Sequence, residues 1–173
     1  MRFLIFLVFI FYINPSYSAT DDWTSYGKSS GGGHFSKADE ITPENVKKLE
    51  RVWVHRSGDY KGGANSAGVK GGEYQTSFQA TPLLVDDTLF YCTSYNRVFA
   101  LDPETGKEKW VFDPKLKKDG RAILACRGLS SWKDETKSSS EKCHHRIMGV
   151  TIDAELFSID GKSGEICNDF GNN

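Results

Sequence analysis

Chemistry in this sequence could reside first in its four cysteines, Cys92, Cys126, Cys143 and Cys167. No two of them form a Cys-x-x-Cys pair, so neither a structural zinc site nor a thioredoxin-like redox site is supported. Cys143-His144-His145 has the residue types of a metal site. Adjacent residues on a strand point to opposite faces, however, so its two histidines do not readily share one ion. That leaves disulfide chemistry, for which four cysteines allow three complete pairings. A formal net charge of −1 with no basic stripe excludes a nucleic-acid partner.

Disulfides require an oxidising compartment, and the N-terminus offers a route to one. Met1-Arg2 supplies a short positive start, Phe3 to Ile13 an apolar run, and Ser16-Tyr17-Ser18-Ala19 the small residues of a cleavage site. Residues 1–19 are therefore expected to be a signal peptide, cut after Ser18 or Ala19, with an apolar core too short to span a bilayer. No later segment is apolar enough to do so. The expected product, residues 20–173, is exported to the periplasm or secreted, with at most a peripheral association with the membrane.

The elements that would position these residues are short. Seventeen glycines against five prolines point to many tight turns and an all-β chain. Residues 20–46 are polar and Gly-rich. Thr42-Pro43 then reads as the N-cap and first position of a brief helix, followed by a short strand over Arg51–His55. Ser57–Tyr74 reads as a loop. Four strands joined by tight turns come next: Ala80–Val85, Thr88–Thr93, Arg97–Asp102 and Lys109–Phe112, an antiparallel meander. Phe99-Ala100-Leu101-Asp102-Pro103-Glu104-Thr105-Gly106-Lys107 is echoed by Phe157-Ser158-Ile159-Asp160-Gly161-Lys162-Ser163-Gly164-Glu165, at an offset of 58 residues. That spacing is long for one blade, and 134–142 reads as an inserted loop. A repeated four-stranded unit is the signature of a β-propeller. Two units cannot close a ring without leaving apolar sheet faces bare, so the chain is expected to be part of a larger propeller.

Ala100-Leu101-Asp102-Pro103-Glu104-Thr105-Gly106-Lys107-Glu108-Lys109-Trp110 resembles the tryptophan-docking motif of the dehydrogenases that depend on pyrroloquinoline quinone (PQQ). The resemblance extends along the chain in order. It includes Asp22-Trp23-Thr24-Ser25-Tyr26-Gly27, Ile41–Val46 running into Trp53–Asp59, Thr81-Pro82-Leu83, Cys126-Arg127-Gly128, Cys143 near Arg146-Ile147, and Cys167 before Phe170-Gly171. This set is similar to the membrane-type glucose, quinate and polyol dehydrogenase branch. The adjacent Cys-Cys pair of alcohol and methanol quinoproteins is absent from the sequence.

The resemblance implies an eight-bladed propeller of which about two blades are here. It also implies a PQQ cofactor beside Ca²⁺, a sugar or polyol substrate and a quinone electron acceptor. The general base and the metal ligands belong to later blades, so no catalytic residue and no turnover are expected of these 173 residues alone. Arg127, Gln79 and Arg56 are the expected cofactor-binding residues. Gln79 stands where the family usually has Glu, and Ile123 where the branch typically has His. Both departures leave room for an alternative, a non-catalytic exported propeller scaffold or an inactive truncated paralogue. Cys126 and Cys143, which flank a polar loop, are the expected disulfide, with Cys92 a buried free thiol.

Overall fold

The computed structural model describes residues 22–28, 31–59, 75–116 and 123–171. The expected signal peptide and most of the expected loop from Ser57 to Tyr74 lie outside the described residues. The meander forms as its turns dictate. After β1 (Gln75–Thr81), Pro82 interrupts the ladder because it has no N–H to donate, and β2 (Leu83–Val85) begins. Asp86 and Asp87 both adopt positive φ, 47° and 51°, the turn whose twist matches a two-residue hairpin. β3 (Thr88–Cys92), β4 (Val98–Leu101) and β5 (Glu108–Phe112) complete an antiparallel sheet in the order β2-β3-β4-β5. Its register pairs Leu83 with Phe90, Tyr91 with Phe99, and Phe99 with Val111.

A second sheet repeats the plan with β7 (Ser130–Lys133), β8 (His145–Val150) and β9 (Leu156–Asp160). A single Ile159–Ile166 bridge stands where its fourth strand would run. The expected insertion is the β7–β8 connection. Lys137 bonds to Asp169, Lys142 to Glu165, and the Lys162 ammonium to the Ser139 carbonyl. Between the sheets β6 (Ile123–Gly128) pairs in parallel with β1.

Period-2 alternation makes the first sheet apolar on both faces. Leu83, Val85, Phe90, Cys92, Val98 and Ala100 pack with Leu129, Ile147 and Ile159 of the second unit. The opposite face holds Tyr91, Phe99 and Leu101 against Trp53. The second sheet leaves Trp132, Val150, Leu156 and Ile166 between 48% and 65% exposed. A propeller blade has two packing faces, and here the first unit is covered on both.

The repeated motif forms the same turn twice. The Asp102 carboxylate accepts from the Thr105 N–H and hydroxyl at 2.8 and 2.7 Å, and Asp160 does the same for Ser163 at 2.8 and 3.0 Å. Each turn then receives a tryptophan. The Trp110 indole N–H donates to the Gly161 carbonyl at 3.2 Å, and its ring lies over Gly164. The Trp53 indole N–H donates to the Pro103 carbonyl at 3.1 Å, and its ring lies over Gly106. Gly106 and Gly164 have φ of 69° and 73°, and a Cβ on either would stand 2.6 Å from indole carbons. Glycine is therefore needed twice over, for backbone conformation and for room.

Three local expectations change. Thr42 does not cap a helix: a 3-10 turn spans Val46–Lys48, and the Asn45 side chain folds back to accept from the Thr42 N–H at 2.7 Å. Arg51–His55 forms no ladder, since no described strand runs beside it; the side chains of Trp53 and His55 anchor it instead. The disulfides are Cys92–Cys126 and Cys143–Cys167, with Cα atoms 5.9 Å apart in both, so Cys126–Cys143 is not a pair and Cys92 is not free. Parallel pairing carries β6 past the end of β3, setting Cys126 against Cys92. Meanwhile Cys143 is drawn to the β9 turn, where its N–H donates to Asp160 at 2.6 Å.

Candidate functional site

The β1–β6 ribbon builds the site. Phe78 pairs with Cys126, and the register then shifts before Thr81 pairs with Gly128; at this irregularity Gln79 and Arg127 come onto one cavity. Cys126 is fixed from behind by its disulfide to Cys92. The two forward-facing side chains open onto a cavity of about 550 Å³, whose other walls include Tyr26, Ser130, Leu129 and Leu156. Gln79 donates to the Ser77 hydroxyl at 2.9 Å, which leaves its amide oxygen available. Arg127 has neither hydrogen bond nor ion pair among the described residues. No described carboxylate lines this cavity. A guanidinium without a partner among the described residues, with amide and hydroxyl neighbours and an apolar wall, suits a flat anionic ligand.

Arg56 is elsewhere. It lies on a second cavity, also about 550 Å³, with Trp53, Phe78 and Tyr91. Because Phe78 and Gln79 are neighbours on one strand, the two cavities occupy opposite sides of β1. Beside the second, His55 bridges the Tyr91 hydroxyl at 2.6 Å and the Glu108 carboxylate at 2.7 Å. Burial, with the negative charges of Glu108 and Asp59, pushes the Tyr91 phenol up to about 12. Arg97 pairs with Asp59 at 2.8 Å and lies over the Phe99 ring. These bonds hold segment 53–59 onto the first sheet.

The histidines that follow Cys143 diverge. The His144 ring faces the carbonyls of Asp134 and Lys137, whereas His145 meets the Ser131 hydroxyl at 2.9 Å. Among the described residues, one group could converge on a metal ion: Cys143, Cys167 and Asp169. Its two sulfurs are joined to each other. Asp169 is occupied by Arg146 and Lys137, which hold its carboxyl well below the usual carboxylate range.

The PQQ glucose/ethanol/alcohol dehydrogenase β-propeller domain matches residues 23–173. The chain belongs to this family. Over 167 residues it is 35% identical to quinoprotein glucose dehydrogenase A of Acinetobacter calcoaceticus, covering 90% of this chain and 20% of that protein. Over 159 residues it is 36% identical to quinoprotein glucose dehydrogenase of Escherichia coli K12, covering 89% and 19%. Among solved structures, quinohemoprotein alcohol dehydrogenase from Comamonas testosteroni superimposes with a TM-score of 0.61 at 24% identity, over 85% of this chain and 19% of that one. That likeness carries the propeller fold. The chain spans about a fifth of the length of these relatives.

Within the PQQ dehydrogenase family, the donor set of the first cavity fits the cofactor. PQQ is planar and carries carboxylates, and Arg127 with Gln79 offers it a cation and an amide. Sequence reasoning brought out those two residues but not Ser130 or Tyr26 on the same cavity. The available signal for Tyr26 was Gly27, whose positive φ of 77° marks a turn that directs the preceding side chain.

Proposed function

We propose that this chain is one wall of the cofactor site of a PQQ-dependent dehydrogenase that oxidises a hydroxyl of a sugar or polyol and passes the electrons to a quinone. The observation that carries the reading is the meeting of Gln79 and Arg127 on one cavity lined by no described carboxylate, in a chain of this family. Bound PQQ would supply the two-electron redox chemistry. Arg127 would grip a cofactor carboxylate and fix its orientation, and Gln79 would hydrogen-bond a cofactor oxygen without adding charge. Neither moves a proton. The base that takes the substrate proton and the carboxylates that hold Ca²⁺ would come from the remainder of the propeller. The signal-peptide pattern at residues 1–19 and two disulfides support work in an oxidising compartment outside the cytoplasm. No helix among the described residues is long and apolar enough to cross a membrane.

The test is titration of PQQ, with Ca²⁺ present, into the full-length protein that contains this chain, followed by absorbance. Saturable binding with glucose- or polyol-dependent reduction of a quinone is the expected result. Absence of saturable binding would favour a non-catalytic scaffold.

A further inference from the structure

The N-terminal segment performs a task that the repeat does not require. Trp23 forms an antiparallel bridge with Leu84 of β2, through N–H···O=C bonds of 2.7 and 3.1 Å, and the Ser131 N–H of β7 donates to the Thr24 carbonyl at 3.3 Å. One short segment thus ties the first strands of both blade units together and delivers the next turn to the cavity. In that turn the Lys28 N–H donates to the Ser25 carbonyl at 2.9 Å and the His34 N–H to the Gly27 carbonyl at 3.1 Å. Gly27 is packed so closely on Gly32 that a Cβ would stand 2.8 Å from the Gly32 Cα. These contacts hold the described part of the turn, and its residue Tyr26 is 65% exposed.

Tyr26 is also held in orientation. Its ring meets the His34 ring edge to face at a centroid distance of 4.8 Å, and its hydroxyl has no hydrogen-bond partner among the described residues. An aromatic ring packed on His34, lining the same cavity as Arg127 and Gln79, offers a binding surface for a flat ligand.

We infer that Tyr26 is a cofactor-contacting residue, an aromatic wall that receives the planar ring system of PQQ while Arg127 and Gln79 receive its polar groups. This rests on the cofactor reading above. It adds a residue from outside the repeats, in the turn that follows the segment joining the two blade units. Occupancy of the cavity would then tighten the N-terminal segment as well as the β1–β6 ribbon.

The test measures PQQ binding to the full-length protein with Ca²⁺, by fluorescence quenching, for wild type, Tyr26→Phe and Tyr26→Ala. Tyr26→Ala is expected to weaken binding at least about tenfold, and Tyr26→Phe by about threefold or less, because the ring supplies most of the contact. Oxidative footprinting of the wild-type protein supplies a readout independent of variant folding: PQQ should protect Tyr26 while leaving residues remote from the cavity unaffected. Wild-type affinity in Tyr26→Ala, or unchanged Tyr26 labelling when PQQ is bound, would overturn the inference and leave the cofactor reading standing. No binding to wild type at all would remove both.

Discussion

Two tryptophans dock on two copies of one turn, and the seams they close are made differently. Trp110 lies at the edge of a continuous apolar layer in which Leu83, Phe90 and Val98 meet Leu129, Ile147 and Ile159. That seam is also crossed by the Cys92–Cys126 disulfide. Trp53 closes a smaller cluster with Tyr91, Phe99 and Leu101, and its segment is held by the His55–Tyr91–Glu108 chain and the Arg97–Asp59 pair. The motif specifies where a neighbour docks; the strength of the seam depends on what lies beneath it.

If that is right, truncating the two tryptophans should not cost the same. Trp110→Ala should lose about 3–5 kcal/mol, the range for deleting a large aromatic from a packed site. Trp53→Ala should lose less, about 2 kcal/mol, because Val52 and Val54 beside it are 85% and 48% exposed and little else packs there. Denaturant midpoints of the full-length protein report the difference; equal losses would mean that the motif alone sets seam strength.

The disulfides sharpen the same comparison. Cys92–Cys126 closes 34 residues between sheets, and Cys143–Cys167 closes 24 within the second unit. Loop closure gives each roughly 3–4 kcal/mol. Replacing both cysteines of the first bridge with serine should also loosen the β1–β6 ribbon, and with it cofactor affinity. Removing the second should affect stability alone. Peptide mapping without reduction checks the pairing itself.

Much of this was legible in the sequence, and the boundary has a physical basis. The meander from Leu83 to Phe112 and the turns at Asp102 and Asp160 follow from local alternation and turn chemistry, which neighbouring residues fix among themselves. The parallel β1–β6 pair was not legible, because its two strands lie far apart in the chain and neither carries a turn signal. The disulfide connectivity depends on that pair, so the proximity of Cys126 and Cys143 in sequence misdirected the assignment. Arg51–His55 alternates like a strand but has no described partner, and a strand is defined by its pairing. For the site, resemblance drew attention to Arg127, Gln79 and Arg56, but only the placement of Phe78 and Gln79 on opposite faces of β1 separates Arg56 from the other two.

A pH experiment probes the Trp110 seam more gently. His145 is buried beside Phe90 and Ser131, and burial lowers its imidazole from the usual 6.5, against the pull of Asp86; Lys133 and His144 lower it further, and Asp160 raises it. Between the folded and unfolded values the unfolded chain binds more protons, so stability present above about pH 6.5 is lost as pH falls below it, then levels off under the folded value. Unfolding midpoints between pH 7 and 5 should show this, and His145→Asn should flatten it.

The smallest effect belongs to the Trp53 seam. Ultraviolet titration should find the Tyr91 phenol protonated until about pH 12, and Trp53→Ala should return it towards an ordinary tyrosine value by admitting water. A normal Tyr91 titration in the intact protein would mean that segment 53–59 does not cover it.

The central claim is that one face of the β1–β6 ribbon, and not the other, belongs to the cofactor. Arg127 and Arg56 are both exposed arginines, one on each side of β1, so they form a matched pair. PQQ affinity of the full-length protein, compared between Arg127→Ala and Arg56→Ala with Ca²⁺ present, tests the claim directly. Arg127→Ala should weaken binding by about tenfold or more, the loss of a charge-assisted contact, while Arg56→Ala binds as wild type does. The reverse ranking, or equal affinities, would contradict it.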